Sequence, residues 1–382
     1  MKKIWLYSAL IAGAAWLNGC NPEEPAPTPS GDLLGIPYNP QSYSIKKPAH
    51  FPVVAVPADN PMTVEGVQLG RRLFYDPILS GDSSISCSSC HLPQGSFTDN
   101  KAVSKGVGQQ EGTRSAMSLL NIAYVEGAFF WDGRSPTLED QAIHPVEDPI
   151  EMHANWTNVV ERLKAHPTYP ALFRKAFGIN DRDEITKELT AKAIAQFERI
   201  LISSGTSKYD QYLAGNNDAL DDEEEDGRIM YFDAAGSAGV VLPDGQCFHC
   251  HGNITMNGGN FFNNGLDSVA SLSDFKDKGR FKKTGNPSDQ GKFRAPTLRN
   301  IALSAPYMHD GRFQTMEEVL DQYSDNGSGV SNEDPFIRQI GFPLGNGHYS
   351  GLTPYQKQAI IKFLHTLTDT TFVNNPDIQS PF

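Results

Sequence analysis

The sequence contains two short runs, Cys87-Ser88-Ser89-Cys90-His91 and Cys247-Phe248-His249-Cys250-His251, that decide its class. A Cys-x-x-Cys-His run is the attachment signature of a c-type haem. Its two thiols bind the haem covalently, and the adjacent His supplies an axial nitrogen to the iron. A His follows the second Cys directly in both runs, which disfavours a zinc site built from Cys and His pairs. The runs therefore predict two covalently bound haems and redox chemistry.

The composition is typical of a globular protein with room for two domains. The chain has 382 residues, and its two haem runs begin 160 positions apart (247 minus 87). Four of the five cysteines lie in the runs and the fifth is Cys20, so no pair remains for a disulfide. The net charge of −13 argues against nucleic acid as a partner, because that binding depends on phosphate neutralisation by Lys and Arg. An acidic surface serves solubility, or else steers a basic partner.

Residues 1–20 have the pattern of an export signal. Met1-Lys2-Lys3 is a positive start, and a short apolar stretch follows it. Leu17-Asn18-Gly19-Cys20 resembles a bacterial lipobox, in which the Cys is lipidated and becomes the mature N-terminus; the alternative is a plain secretory signal. Residues 21–50 are rich in Pro and polar residues, as in a flexible tether. We predict a lipoprotein anchored at Cys20 that faces the periplasm or the cell surface, where c-type haem is attached.

Recurrent helical patterns, without long alternating stretches, predict a mainly α fold. In residues 185–202 the apolar side chains recur at helical spacing. Thr353 and Pro354 supply the N-cap and a first-turn Pro for the last helix. The predicted helices cover residues 64–74, 156–165, 185–202, 218–232, 315–323 and 353–367.

The two halves of the chain share an order of features. Each has a helix, a haem run, a Gly-rich loop and then a Gly-Arg turn, which is Trp131-Asp132-Gly133-Arg134 in the first half and His309-Asp310-Gly311-Arg312 in the second. This order predicts two cytochrome c-like haem domains packed around an inter-haem interface. We place the N-terminal haem domain at residues 51–215 and the C-terminal haem domain at residues 216–382.

Further stretches carry a resemblance to a known family. They are residues 69–76 (LGRRLFYD), 130–134 (FWDGR), 295–300 (APTLRN) and 305–311 (APYMHDG). In order and spacing they resemble the bacterial dihaem cytochrome c peroxidase superfamily, which includes MauG-type and MbnH-type enzymes. The resemblance covers nearly all of the chain after the tether. It implies an oxidoreductase that reacts with hydrogen peroxide at one haem and transfers electrons through the other.

The resemblance implies that the first haem has an open iron face. In ordinary peroxidases of the family, a loop His after the first motif blocks that face until the partner haem is reduced. This sequence has no His between His91 and His144, and the loop at residues 97–114 contains no strong haem ligand. We therefore predict a five-coordinate, accessible iron held by His91. Met117 could bind in principle, although a core role is the preferred interpretation.

Three residues are implied in peroxide chemistry by the family's spacing. The family places a Gln ten residues, and a Glu twenty residues, after a Trp that lies between the haems. Counting from Trp131 gives Gln141 and Glu151. Glu151 is the implied acid–base group, which moves a proton from one peroxide oxygen to the other. Gln141 is implied to position peroxide or water, and Trp131 to relay electrons; the alternatives are a solvated Glu and a core Trp.

The second haem is implied to be closed on both faces. His251 is its proximal ligand, and the distal ligand sets its potential. Met308 and Met316 are candidates, but the family's ligand lies fourteen residues after the His of the Pro-Tyr-x-His turn, which gives Tyr323. MauG-like members carry a Tyr at that place. We predict His251 and Tyr323 as the axial pair, with a Met ligand, or Tyr323 as a core aromatic, as the alternatives.

A calcium ion between the haems is a further implication of the resemblance. The family binds it with an Asn side chain and two backbone carbonyls. The carbonyl positions correspond to Arg294 and Pro296, and the Asn position to Ser115. Because a Ser hydroxyl is a weaker calcium ligand than an amide oxygen, the ligand set departs from the family here.

The function implied is an exported dihaem peroxidase. It would use hydrogen peroxide to reach a high-valent iron state that oxidises a partner protein, as MauG-type enzymes do with aromatic side chains and MbnH-type enzymes do with a Trp of a copper-binding partner. MauG relays electrons through a surface Trp before its second haem run, and residues 244–246 (DGQ) contain none. One alternative is detoxification of peroxide with electrons from a small cytochrome or cupredoxin. The other is a dihaem electron carrier without enzymatic activity.

Overall fold

The computed structural model describes residues 30–125, 127–232, 245–325 and 327–382. Helices predominate in this part of the chain, which confirms the predicted mainly α fold. The α-helices are α1 (Val64–Tyr75), α2 (Leu138–Glu147), α3 (Trp156–Ala165), α4 (Tyr169–Phe177), α5 (Lys187–Glu198), α6 (Lys208–Leu213), α7 (Asp222–Phe232), α8 (Cys247–Cys250), α9 (Phe281–Thr284), α10 (Met316–Ser324), α11 (Pro354–Thr366) and α12 (Thr370–Val373). Two antiparallel strand pairs complete the structure: β1 (Phe261–Phe262) with β2 (Phe293–Arg294), and β3 (Pro343–Gly345) with β4 (His348–Tyr349). Within the described ranges, no helix has the length and apolar character needed to cross a membrane.

The six predicted helices are all present, with ends that are set by caps. Helix α5 begins at Lys187 rather than at residue 185, because the Thr186 side chain accepts a hydrogen bond from the Leu189 amide. Helices α2 and α4 were not predicted. Pro145 lies inside α2 and Pro170 lies at the start of α4, and a Pro normally argues against a continuing helix.

Each half is built on the same crossed pair of helices. Helix α1 packs against α5 in the first half, and α7 packs against α11 in the second. A glycine stands at both crossings. A Cβ on Gly70 would lie 1.8 Å from the Ala193 carbonyl oxygen, and one on Gly227 would lie 2.0 Å from the Ala359 carbonyl oxygen. The helices therefore approach each other closely enough that no other residue fits at these points.

Substitution of Gly70 by Ala is expected to lower the free energy of unfolding by about 1–3 kcal/mol, since the new methyl group forces α1 away from α5. Chemical denaturation followed by helical circular dichroism would measure it. The exposed Gly35, which has no atom within 4 Å of an added Cβ, provides the matched control. Equal stability of Gly70→Ala and Gly35→Ala would show that the crossing is not tight.

The turn and helix that follow each haem run are also repeated. Gly133 and Gly311 have nearly the same left-handed backbone, with φ of 66° and 64°. The side chains of Thr137 and Thr315, six residues after Trp131 and His309, cap α2 and α10. Position n after Trp131 therefore corresponds to position n after His309, and this equivalence supports the predicted duplication.

The two ends of the chain pack on the first half. Leu33 is buried in its core and its amide donates to the Asn180 carbonyl at 3.0 Å, so residues 30–50 are not a free tether as predicted. At the other end, the Tyr75 hydroxyl donates to the Ile378 carbonyl at 2.6 Å, and Phe372 packs beside Phe97. The last residues therefore lie outside the C-terminal domain to which the sequence assigned them.

Helix α6 belongs to the second half, although the predicted boundary near residue 215 places it in the first. Tyr209 lies in the second half's core. Asp210 forms a fully buried ion pair with Arg299 at 2.5 Å. Buried charges are paired in this way because an isolated one is costly.

Candidate functional site

The first cavity of the structure opens beside the first haem run. Cys87, Cys90 and His91 stand on its wall, and it encloses about 1730 Å³, including space open to solvent. The His91 Nδ1 lies 2.8 Å from the Phe97 carbonyl oxygen, which fixes the ring and leaves Nε2 free for iron. Burial lowers the pKa of His91, so the imidazole stays in the neutral form that binds metals. The cavity and its side chains fit a c-type haem.

Helix α2 supplies another wall of this cavity. Gln141, Ala142, Pro145 and Val146 line it from successive turns of the helix. The Gln141 side-chain oxygen is buried there without a hydrogen-bond partner. An unpaired buried amide oxygen is costly unless a bound group completes it. Gln141 can therefore accept a hydrogen bond from peroxide or from water inside the cavity.

Glu151 lines the same cavity just beyond α2. Burial, and then repulsion from Asp148, raise the pKa of Glu151 to about 7. A carboxyl group with that pKa gives and takes protons readily at neutral pH. Its backbone is fixed, because the Val107 amide donates to the Glu151 carbonyl at 2.8 Å. The family spacing thus leads to a residue whose surroundings suit acid–base chemistry.

The loop after the first haem run packs against Glu151 and brings no second His into the cavity. Gly106 lies so close to the carbonyls of Ile150 and Glu151 that a side chain would not fit. Among the described residues that line the cavity, His91 is the only His, and Met117 is a lining residue as well. This arrangement agrees with an open iron face, which remains a prediction.

Glu198, at the end of α5, is a cavity residue that the sequence analysis did not identify. Its side chain is buried, it lines the first cavity, and its Oε2 has no hydrogen-bond partner. The neighbouring cation, Arg199, is paired with Glu139 at 2.7 Å instead. Burial raises the pKa of Glu198 to about 8, an effect opposed by Arg199 and increased by Glu139. Glu198 is therefore a neutral acid at pH 7. Alignment of the two helix crossings could have revealed it, because Leu364 takes this position in the second half.

The second cavity opens beside the second haem run and encloses about 1240 Å³, including space open to solvent. Cys247, Cys250 and His251 stand on its wall, with His251 Nδ1 2.9 Å from the Pro296 carbonyl oxygen. Two guanidinium nitrogens of Arg294, Nε and Nη1, are buried in it without a partner. The third nitrogen, Nη2, donates to the Ala128 carbonyl. A buried cation with two nitrogens left without a partner in a mainly apolar cavity suits an acidic group of a bound cofactor, such as a haem carboxylate. These residues therefore also fit a c-type haem.

Tyr323, Met308 and Met316 all line the second cavity, so the structure brings together every distal ligand considered from the sequence. Burial raises the pKa of Tyr323 to about 12, and a hydrogen bond from Asn264 opposes this shift. Asn264 gave no signal in the sequence.

Equivalent positions on α2 and α10 explain how the cavities differ. In the first half, Gln141 lies ten residues and Pro145 fourteen residues after Trp131. In the second half, Val319 lies ten residues and Tyr323 fourteen residues after His309. All four line their cavities. Helix α2 thus offers the amide of Gln141 and no iron ligand. Helix α10 offers the phenol of Tyr323, and the apolar Val319 stands where α2 has its amide.

Trp131 lines both cavities, and it is the one residue common to both among those described. Its indole Nε1 donates to the Ser115 carbonyl at 2.9 Å, and its own carbonyl accepts from the Arg294 amide at 2.9 Å. Both the ring and the backbone are therefore fixed. An aromatic ring therefore lies on the wall that the two cavities share.

The predicted calcium ligands lie around Trp131, but their contacts give the ion little support. The Ser115 hydroxyl donates to the Met308 carbonyl at 2.9 Å, and the Pro296 carbonyl accepts from His251. The buried Arg294 guanidinium adds positive charge. In the described part of the chain no group of three or more His, Cys, Asp or Glu side chains could hold a metal ion. These residues do not fit calcium well.

Two positions named in the sequence analysis, the predicted lipidation site Cys20 and residue 244 before the second haem run, lie outside the described residues.

Comparison with known proteins agrees with these observations. A sequence profile of the di-haem cytochrome c peroxidase family matches residues 64–218. The chain is 35% identical to the methylamine utilization protein MauG of Methylorubrum extorquens, over 71% of this chain and 72% of MauG. It is 36% identical to the cytochrome c551 peroxidase of Nitrosomonas europaea, over 72% of this chain and 77% of that protein.

Solved structures show the same likeness in three dimensions. A MauG-like protein associated with microbial copper homeostasis superposes with a TM-score of 0.77 and 35% identity, covering 89% of this chain and 99% of that one. The dihaem peroxidase BthA of Burkholderia thailandensis, at 21% identity and a TM-score of 0.66, shares the fold.

Proposed function

Because this chain belongs to the dihaem cytochrome c peroxidase family, we propose that it uses hydrogen peroxide to oxidise an exported partner protein. The observation that carries this proposal is Trp131, the residue shared by a cavity that contains Glu151 and Gln141 and a cavity that contains Tyr323. Two different haem sites joined by an indole suit an enzyme that accepts peroxide at one site and electrons at the other.

The residues of the first cavity handle protons. Reduction of hydrogen peroxide to two water molecules consumes two electrons and two protons. The bound haem would supply an iron that binds peroxide and exchanges electrons. Glu151 takes the proton from one peroxide oxygen and returns it to the other, which leaves as water. The buried Gln141 oxygen, which has no partner in the protein, accepts a hydrogen bond that orients the peroxide.

The second cavity favours the MauG-like form of this chemistry. We propose that His251 and Tyr323 hold the second haem and close it to external ligands. An anionic oxygen ligand lowers the reduction potential relative to Met. A haem held by His251 and Tyr323 would supply electrons for peroxide reduction at the first site, and the partner would replace them.

The proposed partner is an exported protein that contains Trp. Its oxidation changes one of its own aromatic side chains. The superposition on a MauG-like protein associated with microbial copper homeostasis supports this choice, as does the 35% identity to it. Lipidation at Cys20 would keep the enzyme at the membrane surface, where such a partner is exported. Calcium is not needed for this proposal.

The test is to add one equivalent of hydrogen peroxide to the diferric protein and then to titrate it with reduced cytochrome c after increasing delays. We expect two oxidising equivalents to persist for minutes, because the proposed partner is absent and Trp131 connects the two sites. Trp131→Phe is expected to shorten that lifetime at least about 10-fold, since a Phe ring is harder to oxidise. Loss of both equivalents within seconds in the unchanged protein would contradict the proposal.

Detoxification of peroxide is the second candidate function. The 36% identity to a cytochrome c551 peroxidase favours it as much as the identity to MauG favours protein oxidation. Steady turnover of reduced cytochrome or cupredoxin at many cycles per second would support this candidate. A dihaem carrier without enzymatic activity predicts two closed irons and no need for Glu151.

A further inference from the structure

Asn264 contacts two of the side chains that the sequence offers as distal ligands of the second haem. Its Nδ2 lies 3.3 Å from the Tyr323 hydroxyl oxygen and 3.4 Å from the Met308 sulfur. All three side chains line the cavity beside the second haem run. Since an amide carries two N–H donors, one Asn can serve both acceptors at the same time.

The loop that carries Asn264 is fixed on both sides. The Asn263 side-chain oxygen accepts from the Gly265 amide at 3.1 Å, and the Asn263 carbonyl accepts from the Asp334 amide at 2.9 Å. The Gly265 carbonyl accepts from the Gln322 side chain at 3.0 Å. Gln322 precedes Tyr323 on α10, so this bond ties the loop to the helix of the proposed ligand. The backbone therefore holds Asn264 at a constant place beside the phenol.

Met308 owes its position to the repeated turn rather than to a ligand. Its backbone has a φ of 76°, which is uncommon outside glycine, and its counterpart Phe130 has 69°. Its carbonyl accepts from the Gly311 amide at 3.2 Å and from the Ser115 hydroxyl at 2.9 Å. The turn thus fixes the Met308 backbone beside the cavity, and the Met308 sulfur lies in reach of the same Asn264 amide as the Tyr323 hydroxyl.

We infer that Asn264 is a positioning residue that decides the distal ligand of the second haem in favour of Tyr323. This inference rests on the proposed function, in which Tyr323 closes that haem. A phenol that binds iron loses its proton, and an anionic oxygen in a mainly apolar cavity needs a hydrogen-bond donor. Bonds to charged groups are stronger than bonds to neutral ones. The amide therefore stabilises bound Tyr323 more than free Tyr323, while its other N–H holds Met308.

Cyanide binding to the ferric holoprotein measures how firmly Tyr323 is held, because cyanide must displace it. Electron paramagnetic resonance separates the two irons, so the first haem is an internal reference. We expect Asn264→Leu to raise the cyanide affinity of the second haem about 10-fold and to leave the first unchanged. Asn264→Ala is expected to act in the same direction. Asn260→Leu, at an exposed position just before β1, is the matched control and should behave as the unchanged protein.

Tyr323→Phe separates this inference from the proposed function. The substitution is expected to open the second haem and to change its resonance spectrum. If Tyr323→Phe leaves the spectrum and the cyanide affinity of the second haem as they were, Tyr323 is not the ligand, and both the proposed ligation and this inference are wrong. If Tyr323→Phe opens the haem but Asn264→Leu and Asn264→Ala bind cyanide like the unchanged protein, the role of Asn264 alone is overturned.

Discussion

Replacement of Glu151 by Gln is expected to slow the reaction of the diferric protein with hydrogen peroxide about 100- to 10,000-fold, the range for loss of a general acid–base group. Gln has nearly the same shape as Glu but cannot take the proton from one peroxide oxygen and return it to the other. Glu151 lines the first cavity with Gln141, whose side-chain oxygen has no partner in the protein. The loss should therefore appear in the peroxide step itself and not in haem attachment.

The pH dependence of that step has a definite sign. Burial and Asp148 raise the pKa of Glu151 to about 7, and only the ionised carboxylate can accept a proton. The peroxide rate of the unchanged protein should therefore rise as the pH increases through about 7 and then level off. The residual rate of Glu151→Gln should lack this rise.

Stopped-flow absorbance after mixing with peroxide measures both effects, and a haem count confirms that two haems remain attached. Glu147, which is exposed at the end of α2, gives the matched control. Glu147→Gln should keep the unchanged protein's rate and pH profile. A rate for Glu151→Gln within a few fold of that control would remove Glu151 from the proton-transfer role.

The features that depend on local pattern could be predicted from the sequence. The haem runs, the six helices with strong apolar spacing and the repeated Gly-Arg turn are each encoded within a few neighbouring residues. The family resemblance, through its spacing from Trp131 and His309, also pointed to Gln141, Glu151 and Tyr323, and all three line the cavities. Helix α2 itself was missed because Pro145 lies inside it.

The features that depend on distant contacts could not be predicted. Residues 30–50 are rich in Pro and polar side chains, yet Leu33 is buried in the first core, because contacts with residues distant in the sequence, such as the Asn180 carbonyl, hold the segment. The chain end crosses back to the first half through Phe372 and residue 378 for the same reason. Asn264 has no pattern of its own, and only the fold brings it to Tyr323.

Glu198→Gln is the second substitution for which we expect a large effect, here on stability. The folded protein keeps Glu198 protonated up to a pKa of about 8, because its carboxyl is buried and Oε2 has no partner. The unfolded chain ionises it near pH 4.5. Between these values the folded state binds one more proton than the unfolded state, so the free energy of unfolding falls as pH rises. From pH 5 to pH 8 this costs about 3–4 kcal/mol, because the slope is about 1.4 kcal/mol per pH unit and becomes shallower close to each pKa. Glu198→Gln cannot ionise and should be free of that loss.

Denaturant unfolding of the holoprotein at pH 5 and pH 8 measures this difference, since c-type haem stays attached to the unfolded chain and reports its state. Glu198→Leu, which copies Leu364 at the equivalent position of the second half, should be at least as stable as Glu198→Gln at pH 8, because the second half accommodates this apolar side chain.

Glu139→Gln is a control of opposite sign. Hydrogen bonds from Arg199 and Asn60 outweigh burial and lower the pKa of Glu139, so this substitution should cost stability at both pH values, which lie above its normal pKa. If the unchanged protein and Glu198→Gln lose the same stability between pH 5 and pH 8, Glu198 is ionised in the folded protein and the first cavity provides it with a partner. A difference of the expected sign and size would show that this cavity keeps a second acid protonated at neutral pH, on a helix distinct from the segment that carries Glu151.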